Sequence, residues 1–296
     1  MKILIGYDGS SCADSALEDL GRGGLPQTAE AMVISVAELQ LPPPPPSSYG
    51  ILSGYAVGVG TSVGSEAYSQ VVEDAHALAF QASKLVQDSF PDWEVRADAR
   101  LGSPAREIIE KAEEWDADLI VVGSHGRSAL GRLILGSVSQ RVVTDAHCSV
   151  RVARNPRPEK DGPARIVLGV DGSEHSGAAV RAVATREWPE GSEVRLVTAL
   201  DPLHMYGADP EDKYTGILSI HQSAKIFLRA AGLEVSSVAE EEDAKRLLVR
   251  EAEEWGADSI FVGARGLGRL GRLLLGSVST AVVARAHCTV EVIRAA

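Results

Sequence analysis

Short apolar runs recur along the chain, separated by segments whose apolar positions return every three or four residues. The first run, residues 1–8, ends in Gly6-Tyr7-Asp8-Gly9-Ser10, the pattern of a buried strand passing into a loop. Ser10 or Ser11 stands where a helix cap belongs, which predicts a helix over about residues 12–22, ended by Gly21, Gly24 and Pro26. Residues 31–38 form the second buried run. Over residues 66–89, Val71, Val72, Ala75, Leu78, Ala79, Ala82, Leu85 and Val86 recur at helical spacing. Residues 93–99 alternate, as suits an edge strand, and Ser103-Pro104 marks the start of a helix that carries Ile108 and Ile109 and ends near Trp115. Residues 118–123 read as a fourth strand, 131–145 as a further helix and 149–153 as a short last strand. Five strands alternating with four helices predict a doubly wound parallel sheet covered on both faces.

The chain then repeats itself. Residues 165–173 match 2–10, 253–263 match 113–123, 270–279 match 130–139, and 286–292 match 146–152. A strand over 194–201 takes the place of the second strand, and 220–231 part of the long helix. Partners are 163 positions apart early in the repeat (2 with 165) and 140 late (136 with 276), so the first copy is longer. The excess falls mainly in a segment that opens with five prolines, 42–46, and stays rich in Ser and Gly up to Gly64. An insertion loop accounts for it; a proline ligand for an SH3-like partner is the other reading. The reading is a tandem duplication: one domain over 1–154, a charged, proline-rich linker over 155–163, and a second domain over 164–296.

Composition narrows the class. A hydrophobic content of 45% and a charged content of 24% suit a soluble globular protein. A net charge of −12 argues against a broad nucleic-acid or anionic-membrane surface. No apolar run approaches the roughly 18 residues that span a bilayer, and the start has no signal-peptide layout, so a cytoplasmic protein is expected. Cys12, Cys148 and Cys288 include no CxxC pair and give no disulfide framework. Cys148 and Cys288 occupy matched places before the last strand of each copy and read as buried packing.

The candidate chemistry lies at the end of the fourth strand. Gly123 is followed by Gly126 and, ten residues later, by Gly136-Ser137-Val138-Ser139; the second copy has Gly263, Gly266 and Gly276-Ser277-Val278-Ser279. Glycines there permit φ > 0 or close backbone approach, and a Gly-Ser step into a helix offers N–H groups and a positive dipole end to an anion. Tight turns alone would explain one copy; two in equivalent contexts favour a phosphate site. If the first and fourth strands flank the reversal of strand order, Asp8 faces the Gly123 loop across a crevice, and Asp171 faces Gly263. Asp8 either accepts hydrogen bonds from a nucleoside or forms an Asx turn with Gly9-Ser10. Arg127, Arg132, Arg269 and Arg272 lie near these loops, either to offset a triphosphate or as solvated helix ends. There is no Walker GxxxxGK[ST], no paired catalytic carboxylates and no Ser/His/Asp grouping, so no catalytic or metal-ligating residue is assigned.

The strings Gly123-x2-Gly126-x9-Gly136-Ser137 and Gly263-x2-Gly266-x9-Gly276-Ser277, with opening strands ending in Gly-Tyr-Asp-Gly-Ser and Gly-Val-Asp-Gly-Ser, resemble the universal stress protein family over nearly the whole chain. The resemblance implies a Rossmann-like, adenine nucleotide alpha hydrolase-like fold in two lobes, packed as a pseudo-twofold pair through their last strands. It also implies the ATP-binding subclass. It places adenosine contacts on Asp8 and the backbone of Val36, and phosphate contacts on Gly123, Gly126, Gly136, Ser137, Val138 and Ser139. In the second lobe the corresponding positions are Asp171, Ala199, Gly263, Gly266, Gly276, Ser277, Val278 and Ser279. Ser124-His125 becomes Ala264-Arg265, so the second pocket is expected to lose a hydroxyl and gain a fixed charge at Arg265. The function expected is a stress-response regulatory module holding ATP, with Mg²⁺ or Mn²⁺ on the phosphates. The alternatives are a slow metal-dependent ATP hydrolase and a scaffold with structural nucleotide. No residue argues for a homodimer of whole chains or for a particular protein partner.

Overall fold

The computed structural model describes residues 1–38, 61–126, 135–154, 162–200, 210–266 and 275–295, with side chains left aside at 61–68 and 210–215. The first half runs β1 (Lys2–Gly6), α1 (Ser11–Asp19), a 3-10 turn (Leu20–Arg22), β2 (Glu30–Ala37), α2 (Thr61–Ser89), β3 (Glu94–Leu101), α3 (Pro104–Glu114), β4 (Leu119–Gly123), α4 (Ser137–Asp145) and β5 (Ser149–Ala153). The second runs β6 (Arg165–Gly169), α5 (Glu174–Ala184), β7 (Glu193–Ala199), α6 (Pro210–Ala230), β8 (Glu234–Glu240), α7 (Ala244–Trp255), β9 (Ser259–Gly263), α8 (Ser277–Arg285) and β10 (Thr289–Ile293).

Among the described residues the ten strands form one sheet in the order β3-β2-β1-β4-β5-β10-β9-β6-β7-β8. Pairing is parallel within each half, and β5 meets β10 antiparallel at the centre, with Val150, Arg151 and Val152 opposite Val292, Glu291 and Val290. Two doubly wound halves therefore share one sheet, and the edge of each last strand is closed by the other. Alternation sorts the side chains by face. Leu4, Ile120 and Val122 join a core that runs unbroken under α3, α4, α7 and α8 and spans both halves. Ile3, Ile5, Leu119 and Val121 face a separate core under α1 and α2, mirrored by Ile166, Leu168 and Phe261 under α5 and α6.

Ser10 is the cap of α1, its Oγ accepting from Ala13 N at 3.2 Å, and β3 occupies a sheet edge as its alternation predicted. The helix expected over 131–145 begins at Ser137, because Gly136 is extended (φ −64°, ψ 151°) with its N–H bonded to Ser124 O at 2.8 Å; residues 131–134 lie outside the described residues. On α2 the buried stripe is Ala75, Ala79, Ala82 and Val86, while Leu85 points outward at 54% exposure. The proline-rich segment 42–60 and the linker residues 155–161 lie outside the described residues.

Candidate functional site

β1 has β2 on one side and β4 on the other, so the order of strands reverses there and the carboxyl ends of β1 and β4 border one crevice. Two loops meet across it. At the end of β1, Asp8 Oδ1 accepts from Ser10 N at 3.0 Å, with Gly9 at φ 74° completing an Asx turn. The second half repeats this turn with Asp171, Ser173 N (2.9 Å) and Gly172 at φ 81°. The same carboxylates also face the opposite loop: a Cβ placed on Gly126 would sit 2.9 Å from Asp8 Oδ2, and one on Gly266 2.6 Å from Asp171 Oδ2. Turn and crevice are served by different oxygens of one side chain.

The motif glycines act by small size, since none of the six has a positive φ. That corrects the expectation of left-handed backbone. Gly123 has no Cβ because the carbonyl of Cys12 on α1 would lie 2.6 Å from it, and His175 packs on Gly263 in the same way. Gly136 and Gly276 are pressed by the backbone of Ser124 and Ala264, whose carbonyls accept their N–H groups at 2.8 Å. These four glycines shape the loop, and Gly126 and Gly266 border the opening.

Gly136 precedes α4 and Gly276 precedes α8, and neither helix start has a side-chain cap. The first-turn N–H groups at residues 137–139 and 277–279 are thus met by no capping side chain, which suits an anion at the positive end of the dipole. Ser139 Oγ is directed elsewhere. It donates to Gly123 O at 2.6 Å, as Ser279 Oγ does to Gly263 O, so both hydroxyls tie the helix start to the strand end. Neither hydroxyl proton is then left for a phosphate.

In the first half these pieces border a cavity of about 830 Å³ that also takes in Tyr7, Val36, Val71, Asp74, Leu78 and Pro104. Val36 is among the residues that line it, and Ala199 occupies the matching position of β7. Asp74 and Leu78 were not foreseen, since helical periodicity alone cannot separate a cleft wall from a core stripe. Tyr7 Oη donates to Asp14 at 2.6 Å; burial and the carboxylates of Asp14 and Asp8 push its pKa up to about 12. Arg127, and with it Arg132, Arg269 and Arg272, lies outside the described residues.

The two sites differ behind the loop. Ser124 is buried with Oγ 2.8 Å from His125 Nδ1, and Cys12 Sγ lies 4.0 Å from the same nitrogen. The hydroxyl that the second site lacks therefore never faced the cavity; it holds a ring. Burial, helped by Arg154, depresses the His125 pKa, which favours the neutral imidazole. In the second half Cys12 is replaced by His175 and His125 by Arg265, so a thiol beside an imidazole becomes an imidazole beside a guanidinium. Burial and Arg265 depress the His175 pKa too. The paired exchange of 12 and 125 for 175 and 265 was visible in the repeat alignment but had no meaning until α1 was seen against the loop. Cys148 and Cys288 are partly buried free thiols, pushed up to about 11 and about 12 by burial. Among the described residues no three His, Cys, Asp or Glu side chains gather as a metal site.

The universal stress protein family model matches residues 1–154 and again 163–294. The chain belongs to the universal stress protein family. Universal stress protein Rv2005c of Mycobacterium tuberculosis is 28% identical over 99% of this chain and 96% of its own length. Universal stress protein MJ0531 of Methanocaldococcus jannaschii is 43% identical over a shorter stretch, 27% of this chain and 48% of that protein. The crystal structure of a universal stress protein from Archaeoglobus fulgidus superposes with a TM-score of 0.71 at 22% identity, over 99% of this chain and 98% of that one. The tandem arrangement of the fold is thus shared along the full length. Among the described residues no helix is long and apolar enough to cross a membrane.

Proposed function

We propose that this universal stress protein is a cytoplasmic regulatory module that holds ATP in each half and consumes little of it. The observation that carries this reading is the meeting of Asp8 and Gly126 across one opening at the uncapped start of α4, repeated by Asp171 and Gly266 at α8. A side chain at either glycine would fill the space in front of the carboxylate, so the position is kept clear of one. The first cavity, about 830 Å³, falls in the range of roughly 300–1,000 Å³ usual for small-molecule sites.

In this reading Asp8 and the Val36 backbone, with Asp171 and Ala199 in the second half, hold the nucleoside. Gly123, Gly126, Gly136 and residues 137–139 surround the phosphates, as do Gly263, Gly266, Gly276 and residues 277–279. Arg127, which follows Gly126 in the sequence, would add a cation to the first site, as Arg265 would to the second. A Mg²⁺ or Mn²⁺ ion would be held mainly by the phosphates. The domain limits that go with this reading are 1–154 and 164–296, joined by 155–163. Mass spectrometry of small molecules released from freshly purified protein tests it: adenine nucleotide near two per chain is expected, and none, with none bound on addition, would overturn it.

A further inference from the structure

β5 and β10 each end in an arginine that crosses into the other half. Arg294, just past β10, donates from Nη2 to the carbonyls of Val143 (2.9 Å) and Thr144 (3.0 Å), the last turn of α4 in the first half. Arg154, just past β5, donates from Nη1 to Ala286 O (2.9 Å) and from Nη2 to Val283 O (2.8 Å) at the end of α8 in the second half. The backbone repeats the crossing, with Arg294 N on Ser149 Oγ at 3.2 Å and Arg154 N on Thr289 Oγ1 at 3.1 Å.

Among the described residues neither guanidinium has a carboxylate within ion-pair distance, although Asp145 acts on Arg294 from further off, and each keeps a buried Nε with no acceptor there. Arg154 is only 5% exposed. A buried cation without a counter-ion is costly, and here the negative end of a helix dipole and its last carbonyls offset it. The helices so gripped are the two whose opposite ends form the phosphate loops. α4 and α8 have nine residues each, about 13 Å at 1.5 Å per residue, short enough to move as rigid bodies. One end of α4 is tied to its own strand by Ser139 and Gly123, the other to the opposite half by Arg294.

We propose that Arg294 is a positioning residue for the first nucleotide site and Arg154 for the second, so that each site is set by the half that does not contain it. The inference rests on the clefts taking ATP. It makes the two sites mechanically dependent: a shift of α4 on binding acts on the end of β10, which adjoins the second loop through the contact of Ala295 N with His175 Nδ1 (3.4 Å).

The test uses the full chain with one cleft closed. Gly266→Val leaves only the first site, and Gly126→Val only the second. Lysine in place of arginine keeps the charge near each loop but loses the planar fork that reaches two carbonyls. In the Gly266→Val chain, Arg294→Lys should weaken ATP binding by about fivefold or more, and clearly more than Arg154→Lys does. In the Gly126→Val chain the order should reverse. Equal losses, or losses that follow each arginine's own half, would overturn the crossed assignment. Failure of both closed-cleft chains to bind ATP before any arginine is changed would overturn the nucleotide reading, and this inference with it. A second measurement leaves the arginines intact: in the Gly266→Val chain, ATP should shift the Arg294 Nε–H resonance, and no shift at saturation would refute the coupling.

Discussion

Arg151 and Glu291 stand directly opposite each other on β5 and β10, Nη1 to Oε2 at 3.0 Å, with neither residue exposed at all. They are equivalent positions of the repeat, so the duplication has placed opposite charges on its own symmetry axis. Asp19 Oδ2 takes the Nε–H of Arg151 at 2.6 Å, and Arg186 holds both carboxylate oxygens of Glu291. A pairing of two first halves would bury Arg151 against Arg151, and two second halves Glu291 against Glu291. The sheet is therefore specific for unlike halves.

Removing Arg151 takes the paired cation from the buried Asp19 carboxylate, while Glu291 keeps only Arg186. Arg151→Met should lower stability by about 3–5 kcal/mol, the range for breaking one side of a buried pair. Urea unfolding followed by tryptophan emission measures it. A loss below about 1 kcal/mol would mean that water enters the junction and the cluster does not order it.

Closing a cleft and breaking the fold should be separable within one motif. Gly126→Val and Gly266→Val each meet only the end of an aspartate side chain, so each should fold and each should cut ATP stoichiometry by one. Gly123→Val drives carbon into the Cys12 carbonyl and should cost about 1–3 kcal/mol or more by overpacking. Calorimetric titration and thermal melts on the three variants check this. Loss of both sites with Gly126→Val, or a stable Gly123→Val chain, would contradict it.

Much of this was legible in the chain. The repeat, the doubly wound order, the edge role of β3 and the pairing of β5 with β10 all follow from apolar runs, turn residues and the resemblance. What stayed hidden depended on tertiary contact. Nothing local marks Gly123 as the seat of an α1 carbonyl, or tells that the Ser139 hydroxyl turns back to a strand. The start of α4 at Ser137 is set by the extended Gly136, whose N–H is bonded to Ser124 O, a tertiary contact that nothing in the local pattern marks. β8 was not singled out, since Ser236 and Ser237 interrupt its apolar pattern and the two copies do not align there.

Salt should separate the two sites. The second site has the guanidinium of Arg265 where the first has the imidazole of His125, whose pKa burial depresses, so phosphate held near Arg265 is the more strongly screened interaction. Affinity of the Gly126→Val chain should fall more steeply between low and moderate salt than that of the Gly266→Val chain, and Arg265→His should remove the difference. Identical salt slopes would exclude a role for Arg265 in binding.

Acid should destabilise the chain through its histidines. Burial depresses the pKa of His125, His175 and His221, the last 5% exposed with Nε2 2.7 Å from Thr198 Oγ1. Well above the ordinary value of 6.5 they are neutral in both states and contribute no pH dependence. As pH falls through that value the unfolded chain binds protons that the folded chain refuses, so stability drops, by up to about 1.4 kcal/mol per pH unit for each proton. His221→Gln should flatten the dependence of stability on pH between 7 and 5. An unchanged slope would show that His221 is protonated in the fold.

The last expectation is that bound ATP outlives the experiment. A phosphoryl-transfer enzyme needs groups that favour the transition state over bound nucleotide, such as a base that orients water or a cation that arrives with the developing charge. The groups gathered here are backbone N–H groups at a helix start, glycines that give room, and a carboxylate with one oxygen held in its own turn and the other facing the opening. His125, the nearest imidazole in the first half, is turned toward Ser124 and Cys12. Such a site cradles ground-state phosphates about as well as a transition state, so it favours retention over rate. Turnover should stay far below the roughly 1–100 s⁻¹ of kinases, while ATP raises the melting temperature by mass action. Phosphate release measured over many hours with Mg²⁺ or Mn²⁺ decides the matter. Sustained enzyme-like turnover, lost in the Gly126→Val, Gly266→Val double variant, would make this protein a hydrolase.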